Sequence, residues 1–254
     1  MNSLAEKPLS GFRAPEEAAR RGILYVDLAA CWAYPSAALL DGLRGVHLGR
    51  MRQLAVERGF VKELESLEEA LQEALARPLE DWCVEHTRLF GGFPATGCQA
   101  YETAYTASHV FQQTQEMADV AGFYRAFGVA VGEGTERVDH LVSELEFMGF
   151  LAMKESQALD KGEAEQAAVC RDAQQSFLAS HLGRWVGPFS GQIGRKTLFP
   201  FYCSLSRLTS AYVDYEMAAL GVVPEPVNPP QSEDAWGSPG PSFESRPAVE
   251  GFDQ

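Results

Sequence analysis

The chain has 254 residues, of which 46% are hydrophobic, and a formal net charge of −14. A chain of this length and composition can fill a hydrophobic core, so it is a globular protein of one large domain or two small lobes. Nucleic-acid binding depends largely on clustered Lys and Arg that neutralise phosphates, so the acidic balance argues against a nucleic-acid partner and favours a basic one.

Cysteines and apolar runs exclude further classes of protein. The five cysteines are scattered, and no two have the Cys-x-x-Cys spacing of a metal or redox motif. We therefore expect reduced, mostly buried thiols and no bound metal. No apolar run approaches the roughly 18 residues that span a bilayer, which argues against stable membrane insertion.

The first helix is predicted from Pro15 to about Ala33, with a proline and two acids in its first turn. Within it, Arg20-Arg21 precedes an apolar stretch and resembles a twin-arginine export signal. Asp27 interrupts that stretch early, and bulky aromatic residues follow where small residues should precede a cleavage site. We interpret the segment as the first amphipathic helix of a domain.

Apolar residues at helical spacing predict α-helices through most of the remaining chain. The predicted helices cover a short segment around Leu39–Leu43, then 62–77, a helix opened by Pro78, 117–127, a central helix from Val138, 163–182 and 196–220. The glycine-bearing segment Trp185 to Gly194 is predicted to separate the last two helices. No sustained period-two alternation appears, so the sequence predicts an all-α fold.

The composition changes sharply beyond Leu220. Seven of the fourteen prolines lie between Pro224 and Pro247, mixed with Ser, Asp and Glu. Such a segment buries too little apolar surface to offset its ordering entropy. We therefore predict a flexible N-terminus at residues 1–14, one helical-bundle domain at 15–220 and a disordered, acidic, Pro-rich tail at 221–254.

One cluster of polar residues stands at the start of the predicted central helix. His140 and Glu144 are four residues apart, so they share a helix face and can act as an acid-base pair or as metal ligands. Asp139 beside them is also typical of a helix cap. Spacing alone favours capping, because a metal site needs three or four ligands and no His-Glu-x-x-His motif is present.

A second cluster joins the end of one predicted helix to the element that follows it. Arg88 and Phe90 precede a glycine turn, and Tyr101 and Glu102 follow that turn. The structural interpretation is a helix C-terminus with a favourable cation and a packing loop. The functional interpretation is the wall of a groove that receives a peptide, and spacing alone favours the first.

These segments together resemble the TorD/DmsD/NarJ family of molybdoenzyme assembly chaperones, through most of residues 21–215. The motifs that carry the resemblance are Arg21-x-x-Leu24-Tyr25, Arg88-Leu89-Phe90, Tyr101-Glu102-Thr103-x-Tyr105, Phe123-Tyr124-x-x-Phe127-Gly128, Asp139-His140-Leu141-x-x-Glu144-Leu145-x-Phe147-Met148 and Phe177-x-x-x-His181-Leu182-x-x-Trp185. Two departures concern loop geometry, since the family has proline where this chain has Ala100 and Val138.

The resemblance implies a TorD-like, all-helical, cytoplasmic chaperone that has no catalytic activity and no cofactor. Its implied partner is an apo molybdenum oxidoreductase catalytic subunit, often held by a twin-arginine signal peptide until the cofactor is inserted. A basic and apolar signal peptide requires an apolar groove with carboxylates at its rim. The expected binding residues are Asp139, His140, Glu144, Tyr101, Glu102, Arg88, Trp82 and Phe90, in a monomer or a homodimer.

Two alternatives remain open at this point. The first is a metal-dependent helical-bundle enzyme with His140 and Glu144 as ligands. The second is regulation by guanine nucleotides through the loop from Gly128 to Gly134, which lacks the strand and the further glycines of a phosphate-binding loop.

Overall fold

The structure, a computed structural model, describes residues 14–91, 98–107, 109–130 and 136–227, without the side chains of residues 54–58. Within these ranges the chain forms α-helices, one π-helical turn and no strand, which confirms the all-α prediction. The elements are α1 (Ala14–Trp32), α2 (Ala37–Arg44), α3 (Val46–Arg58), α4 (Val61–Leu75), α5 (Leu79–Phe90), α6 (Thr103–Thr106), α7 (Val110–Ala126), α8 (Leu141–Lys161), α9 (Ala164–Phe177), the π-helical turn (Leu178–Leu182), α10 (Gly183–Lys196) and α11 (Pro200–Leu220).

Helix α8 is the centre of the bundle, packed mainly between α1 and α9. Its apolar residues are buried on most sides, as the periodicity from Val138 predicts. Gly22 of α1 and Gly149 of α8 let the two backbones come close together. A Cβ atom placed on Gly22 would lie 2.9 Å from the carbonyl oxygen of Gly149, and one on Gly149 would lie 2.8 Å from Cγ2 of Val26.

We expect Gly149→Ala to lower the free energy of unfolding by about 1–3 kcal/mol, because the added methyl group has no space between the two helices. Gly49→Ala is the matched control, since Gly49 is exposed within α3 and a Cβ atom there meets nothing within 4 Å. The control is expected to stabilise the protein slightly through its higher helix propensity. Urea unfolding of both variants measures the difference, and equal stabilities would contradict a tight α1–α8 contact.

The other half of the bundle is built on aromatic side chains from α5, α9, α10 and α11. Trp82 and Trp185 are completely buried, as are the rings of Phe177, Phe189 and Tyr212. The indole N–H of Trp82 donates to the carbonyl oxygen of Ala74 at 3.1 Å, so its one polar group is satisfied inside the core.

The predicted break between the last two helices is wrong. The segment Trp185 to Gly194 belongs to a continuous helix, α10, instead of separating two helices. Its apolar residues Trp185, Val186, Phe189 and Ile193 lie on one buried face, whereas a Cβ atom on Gly187 or Gly194 would meet nothing within 4 Å. Packing of that face against α11 therefore outweighs the low helix propensity of glycine.

The last described residues run back along the bundle after α11. Helix α11 ends at Leu220, and Gly221 adopts the left-handed conformation, with φ +68°, that commonly ends a helix. The N–H of Glu225 then donates to the carbonyl oxygen of Ala179 at 2.8 Å. The predicted flexible N-terminus and most of the predicted tail, residues 1–13 and 228–254, lie outside the described residues. No described helix is both long and apolar enough to cross a membrane.

Candidate functional site

Two of the sequence motifs lie side by side in the structure. Tyr101 and His140 form an isolated antiparallel bridge between the segment before α6 and the segment before α8. The N–H of Glu102 donates to the carbonyl oxygen of Asp139, and the N–H of Leu141 donates to that of Ala100, both at 2.9 Å. Backbone pairing therefore brings the Tyr-Glu and Asp-His pairs together at the start of the central helix.

The Asp139 carboxylate is completely buried and already fully engaged. It accepts hydrogen bonds from the hydroxyl of Thr103 at 2.7 Å and from the Arg137 guanidinium at 2.9 Å through two nitrogens. Asp139 thus binds the first residue of α6, not the N–H groups of α8. Its role is to connect the two segments. We expected Asp139 to cap α8, but a different residue caps that helix.

That residue is His140, whose ring Nδ1 accepts from the N–H of Val142 at 3.2 Å. Burial lowers the pKa of His140, which favours the neutral ring that this bond requires. Tyr101 packs against the ring with centroids 5.2 Å apart, and the Arg137 guanidinium lies 4.3 Å from the centroid of the Tyr101 ring. His140, Tyr101 and Arg137 thus form the outer layer above the buried Asp139.

The carboxyls of Glu102 and Glu144 form the inner layer, and both are completely buried. The Trp185 indole donates to Glu144 Oε2 at 3.0 Å, and His181 Nδ1 lies 3.1 Å from Glu102 Oε2. Burial, followed by the neighbouring Glu102, raises the pKa of Glu144 well above its ordinary value. Burial also raises the pKa of Glu102, against the opposing effect of His181. Both shifts favour the protonated, uncharged form of these buried carboxyls.

The partners of this inner layer come from the π-helical turn and from α10. The wide turn at Leu178–Leu182 precedes Gly183, where a Cβ atom would overlap the carbonyl oxygen of Leu178 and lie 2.5 Å from the sulfur of Met217. Only glycine fits at that position without a shift of the backbone. A π-helical turn inside a helical region is often found at a functional site.

Sequence reasoning assigned neither His181 nor Arg137 to the expected site. The available signals were the four-residue spacing of His181 and Trp185, which places them on one helix face, and the position of Arg137 two residues before Asp139. The carboxyl group that His181 contacts lies 79 residues away along the chain, and the one that Trp185 binds lies 41 residues away. These pairings were therefore not visible from spacing.

The three expected site residues on α5 lie in different surroundings. Arg88 makes a two-pronged ion pair with Glu85, at 2.6 and 2.7 Å, and donates to the carbonyl oxygen of Lys196 at 2.8 Å, so it clamps α5 to the end of α10. Trp82 is a core residue without exposed surface. Phe90 and His140 line the same enclosed cavity of about 10 Å³. Of the three, Phe90 is therefore the one that lies beside His140, at the start of α8.

The geometry gives no support to the metal-dependent enzyme. The side chains of His140 and Glu144 bond to different partners, the N–H of Val142 and the indole of Trp185. Across the described ranges, no three His, Cys, Asp or Glu side chains are placed to hold a metal ion together. The proposed nucleotide loop, Gly128 to Gly134, falls partly outside the described residues.

A large open groove adjoins the inner layer. It has a volume of about 1020 Å³ and lies between α7 on one side and the π-helical turn with the start of α10 on the other. His181 and Arg184, whose side chains contact Glu102, form part of its lining, and Glu225 lies at its rim. The buried carboxyl pair is therefore connected to the surface through one wall of this groove.

Comparison with known proteins gives consistent matches. The chain is 31% identical over 142 residues to the perchlorate reductase assembly chaperone protein of Dechloromonas aromatica, covering 52% of this chain and 62% of that protein. It is 27% identical over 164 residues to the chaperone protein TorD of Photobacterium profundum, covering 64% and 71%. A shorter match, 35% over 74 residues, covers 29% of this chain and 37% of the chlorate reductase assembly chaperone protein of Ideonella dechloratans. The chain thus spans less than two thirds of the first of these relatives.

The family comparison covers more than half of the chain. Residues 54–190 match the family described as the nitrate reductase delta subunit, a range that contains α4 to α9, the π-helical turn and all the motif residues of the site. The match agrees with the resemblance that the sequence motifs carry. The chain therefore belongs to the nitrate reductase delta subunit family, the TorD/DmsD/NarJ group of redox enzyme maturation proteins.

Proposed function

We propose that this chain is a cytoplasmic assembly chaperone, with no catalytic activity, for the catalytic subunit of a molybdenum oxidoreductase. The observation that carries the proposal is the family match over residues 54–190, together with relatives that are named assembly chaperones. The chaperone binds the apo subunit, and its twin-arginine signal peptide where one is present, and holds it for cofactor insertion before export.

The layers of the site suggest a division of roles among the expected binding residues. Tyr101 and His140 keep some exposed surface and are proposed to contact the client. Asp139, Glu102 and Glu144 have none, so they are proposed to hold the surrounding elements in place. Their contribution to binding is then indirect, through the shape and charge of the adjoining surface.

Asp139→Ala is expected to weaken binding of a twin-arginine peptide by about tenfold, equivalent to roughly 1.4 kcal/mol. The variant loses the bonds from Thr103 and Arg137 that join the two segments, while the helices remain. Calorimetric titration of the purified chain with a synthetic twin-arginine leader measures the affinity, and circular dichroism measures the helix content. Wild-type affinity is expected to fall as salt is added, because charge attraction contributes to it.

Asp41→Asn is the control, since the side chain of Asp41 is 75% exposed on α2 and pairs with nearby Arg44. It is expected to leave peptide affinity unchanged. If single substitutions of Asp139, His140 and Glu144 all bind the peptide as the wild type does, the binding site lies elsewhere on the protein.

A further inference from the structure

We infer that the groove between α7 and α10 receives an arginine-bearing segment of the client, with Asp119 and Glu225 binding the guanidinium groups. This inference rests on the proposed function and adds to it the place of contact. It also differs from the sequence expectation, because neither Asp119 nor Glu225 belongs to the motifs that carry the family resemblance.

The walls of the groove leave room for a peptide. Helix α7 has 17 residues, of which only Val120 and Tyr124 are buried, so most of its surface is partly or fully exposed in the described part of the chain. The opposite wall is the π-helical turn and the first turn of α10. The volume of about 1020 Å³ is at the upper end of the size of ligand-binding clefts and leaves space for several side chains.

The carboxylates of the groove differ in how they are engaged. Glu116 accepts from the hydroxyl of Thr106 at 2.5 Å and from the amide of Gln112 at 3.0 Å, so it fixes α6 to α7. Asp119 and Glu225 line the groove, and their side chains form no hydrogen bond or ion pair with another described residue. Within the described part of the chain, each therefore has its acceptor positions available to a guanidinium, which binds carboxylates through two parallel hydrogen bonds.

Cations also line the groove, but they do not reverse its preference. Arg184 donates to the carbonyl oxygen of Ser180 at 3.0 Å and lies 3.7 Å from Glu102, so its guanidinium is held against its own wall of the groove. Arg125 lines the groove from the last turn of α7, so the lining holds two arginines against three carboxylates, those of Glu116, Asp119 and Glu225. The protein as a whole carries a net charge of −14, which attracts a cationic segment from a distance.

The floor of the groove suits the apolar stem of an arginine. Phe123 lines it and packs edge-on against the rings of Phe177 and His181, with centroids 5.4 and 5.3 Å away. A guanidinium over such a ring gains attraction from the aromatic face, while its methylene stem covers apolar surface. Because His181 also contacts Glu102, a segment in the groove lies one side chain away from the buried carboxyl pair.

The test uses the full chain and a synthetic peptide in which two adjacent arginines precede an apolar stretch. Asp119→Asn and Glu225→Gln, combined in one protein, are expected to weaken binding by about tenfold or more and to reduce its dependence on salt. The control protein carries Glu65→Gln and Glu69→Gln, two exposed carboxylates on α4, and is expected to bind within twofold of the wild type. A peptide with both arginines replaced by glutamine is expected to bind wild type and double variant equally weakly.

Different outcomes separate the two proposals. If the wild type binds no arginine peptide, signal-peptide recognition itself fails. If the wild type binds and the double variant binds equally well, recognition stands and the groove is not its site. If the double variant keeps its peptide affinity but residues 228–254 are cleaved faster by protease, the groove binds the chain's own C-terminal segment. If the affinity is unchanged but light scattering shows that a dimer is lost, the groove binds a second copy of the chain. Either result overturns the inference.

Discussion

Arg21→Ala is expected to lower the free energy of unfolding by about 3–5 kcal/mol, the cost of leaving buried carboxylates without their cation. Arg21 is only 5% exposed, and its guanidinium binds Glu216 at 2.8 Å, Glu155 at 3.1 Å and Gln174 at 2.6 Å. These partners come from α11, α8 and α9, so a single side chain of α1 connects four helices. Without Arg21, Glu155 keeps Arg171 and Gln174 as partners. Glu216 Oε2, however, loses the Arg21 guanidinium that binds it.

The neighbouring arginine provides a control for Arg21. Arg20 is only partly buried, so Arg20→Ala is expected to cost less than about 1 kcal/mol. Urea unfolding followed by circular dichroism compares the two variants at the same pH and salt. Equal losses of stability in both variants would show that the buried network contributes no more than a surface ion pair.

The same network explains the sequence pattern that resembles an export signal. Arg20-Arg21 precedes an apolar stretch because α1 carries a structural cation followed by a core-directed face. Asp27, which interrupts the stretch, is completely buried and forms ion pairs with His47 and Arg50 of α3. Both Arg21 and Asp27 therefore have long-range structural partners within the bundle.

Helix positions could be predicted from the sequence where one apolar face dominates. The predicted helix from Pro15 to about Ala33 corresponds to α1, and the segment 62–77 corresponds to α4 at Val61–Leu75. Helix α3 was not predicted, because Val46–Arg58 has no clear apolar stripe. Helix α10 was missed for a different reason: its glycines and Pro188 are typical of a helix break, although the face of Trp185 and Phe189 packs against the core.

The site could be predicted only in part. Motif resemblance selected Asp139, His140, Tyr101 and Glu102, and the structure brings these four together through a backbone bridge. Helical spacing placed His140 and Glu144 on one face, but their partners are decided by elements far away in the chain. Whether these residues bind a client stays a prediction.

The second large effect is expected for Glu144→Gln, which should make the protein more stable than the wild type at about pH 8. Glu144 is completely buried, with the carboxyls of Glu102 and Asp139 as its charged neighbours and Trp185 as its hydrogen-bond donor. Glutamine keeps an acceptor for the Trp185 indole and cannot ionise. Its amide group can also donate a hydrogen bond toward the neighbouring Glu102 carboxyl.

The direction of the pH dependence follows from the raised pKa of Glu144. At pH values above 4.5, its ordinary pKa, the unfolded chain has released the proton that the folded protein retains. The free energy of unfolding therefore falls with rising pH, by about 1.4 kcal/mol per pH unit, until the pH reaches the raised pKa of the folded protein. The stability that the protonated carboxyl gives is fully present below pH 4.5 and is lost across this window.

Urea unfolding of wild type and Glu144→Gln from about pH 4.5 to 8.5 tests this expectation, because the two stabilities should converge at the acidic end and diverge as the pH rises. The stability of the variant still falls with rising pH, but less steeply, because Glu102 remains and burial raises its pKa as well. Glu165→Gln, at an exposed position on α9, is expected to follow the wild type throughout. Parallel curves for wild type and Glu144→Gln would mean that Glu144 ionises in the folded protein. The inner layer would then be a charged site, whereas a diverging pair of curves identifies it as a neutral, hydrogen-bonded support for the surface that the client contacts.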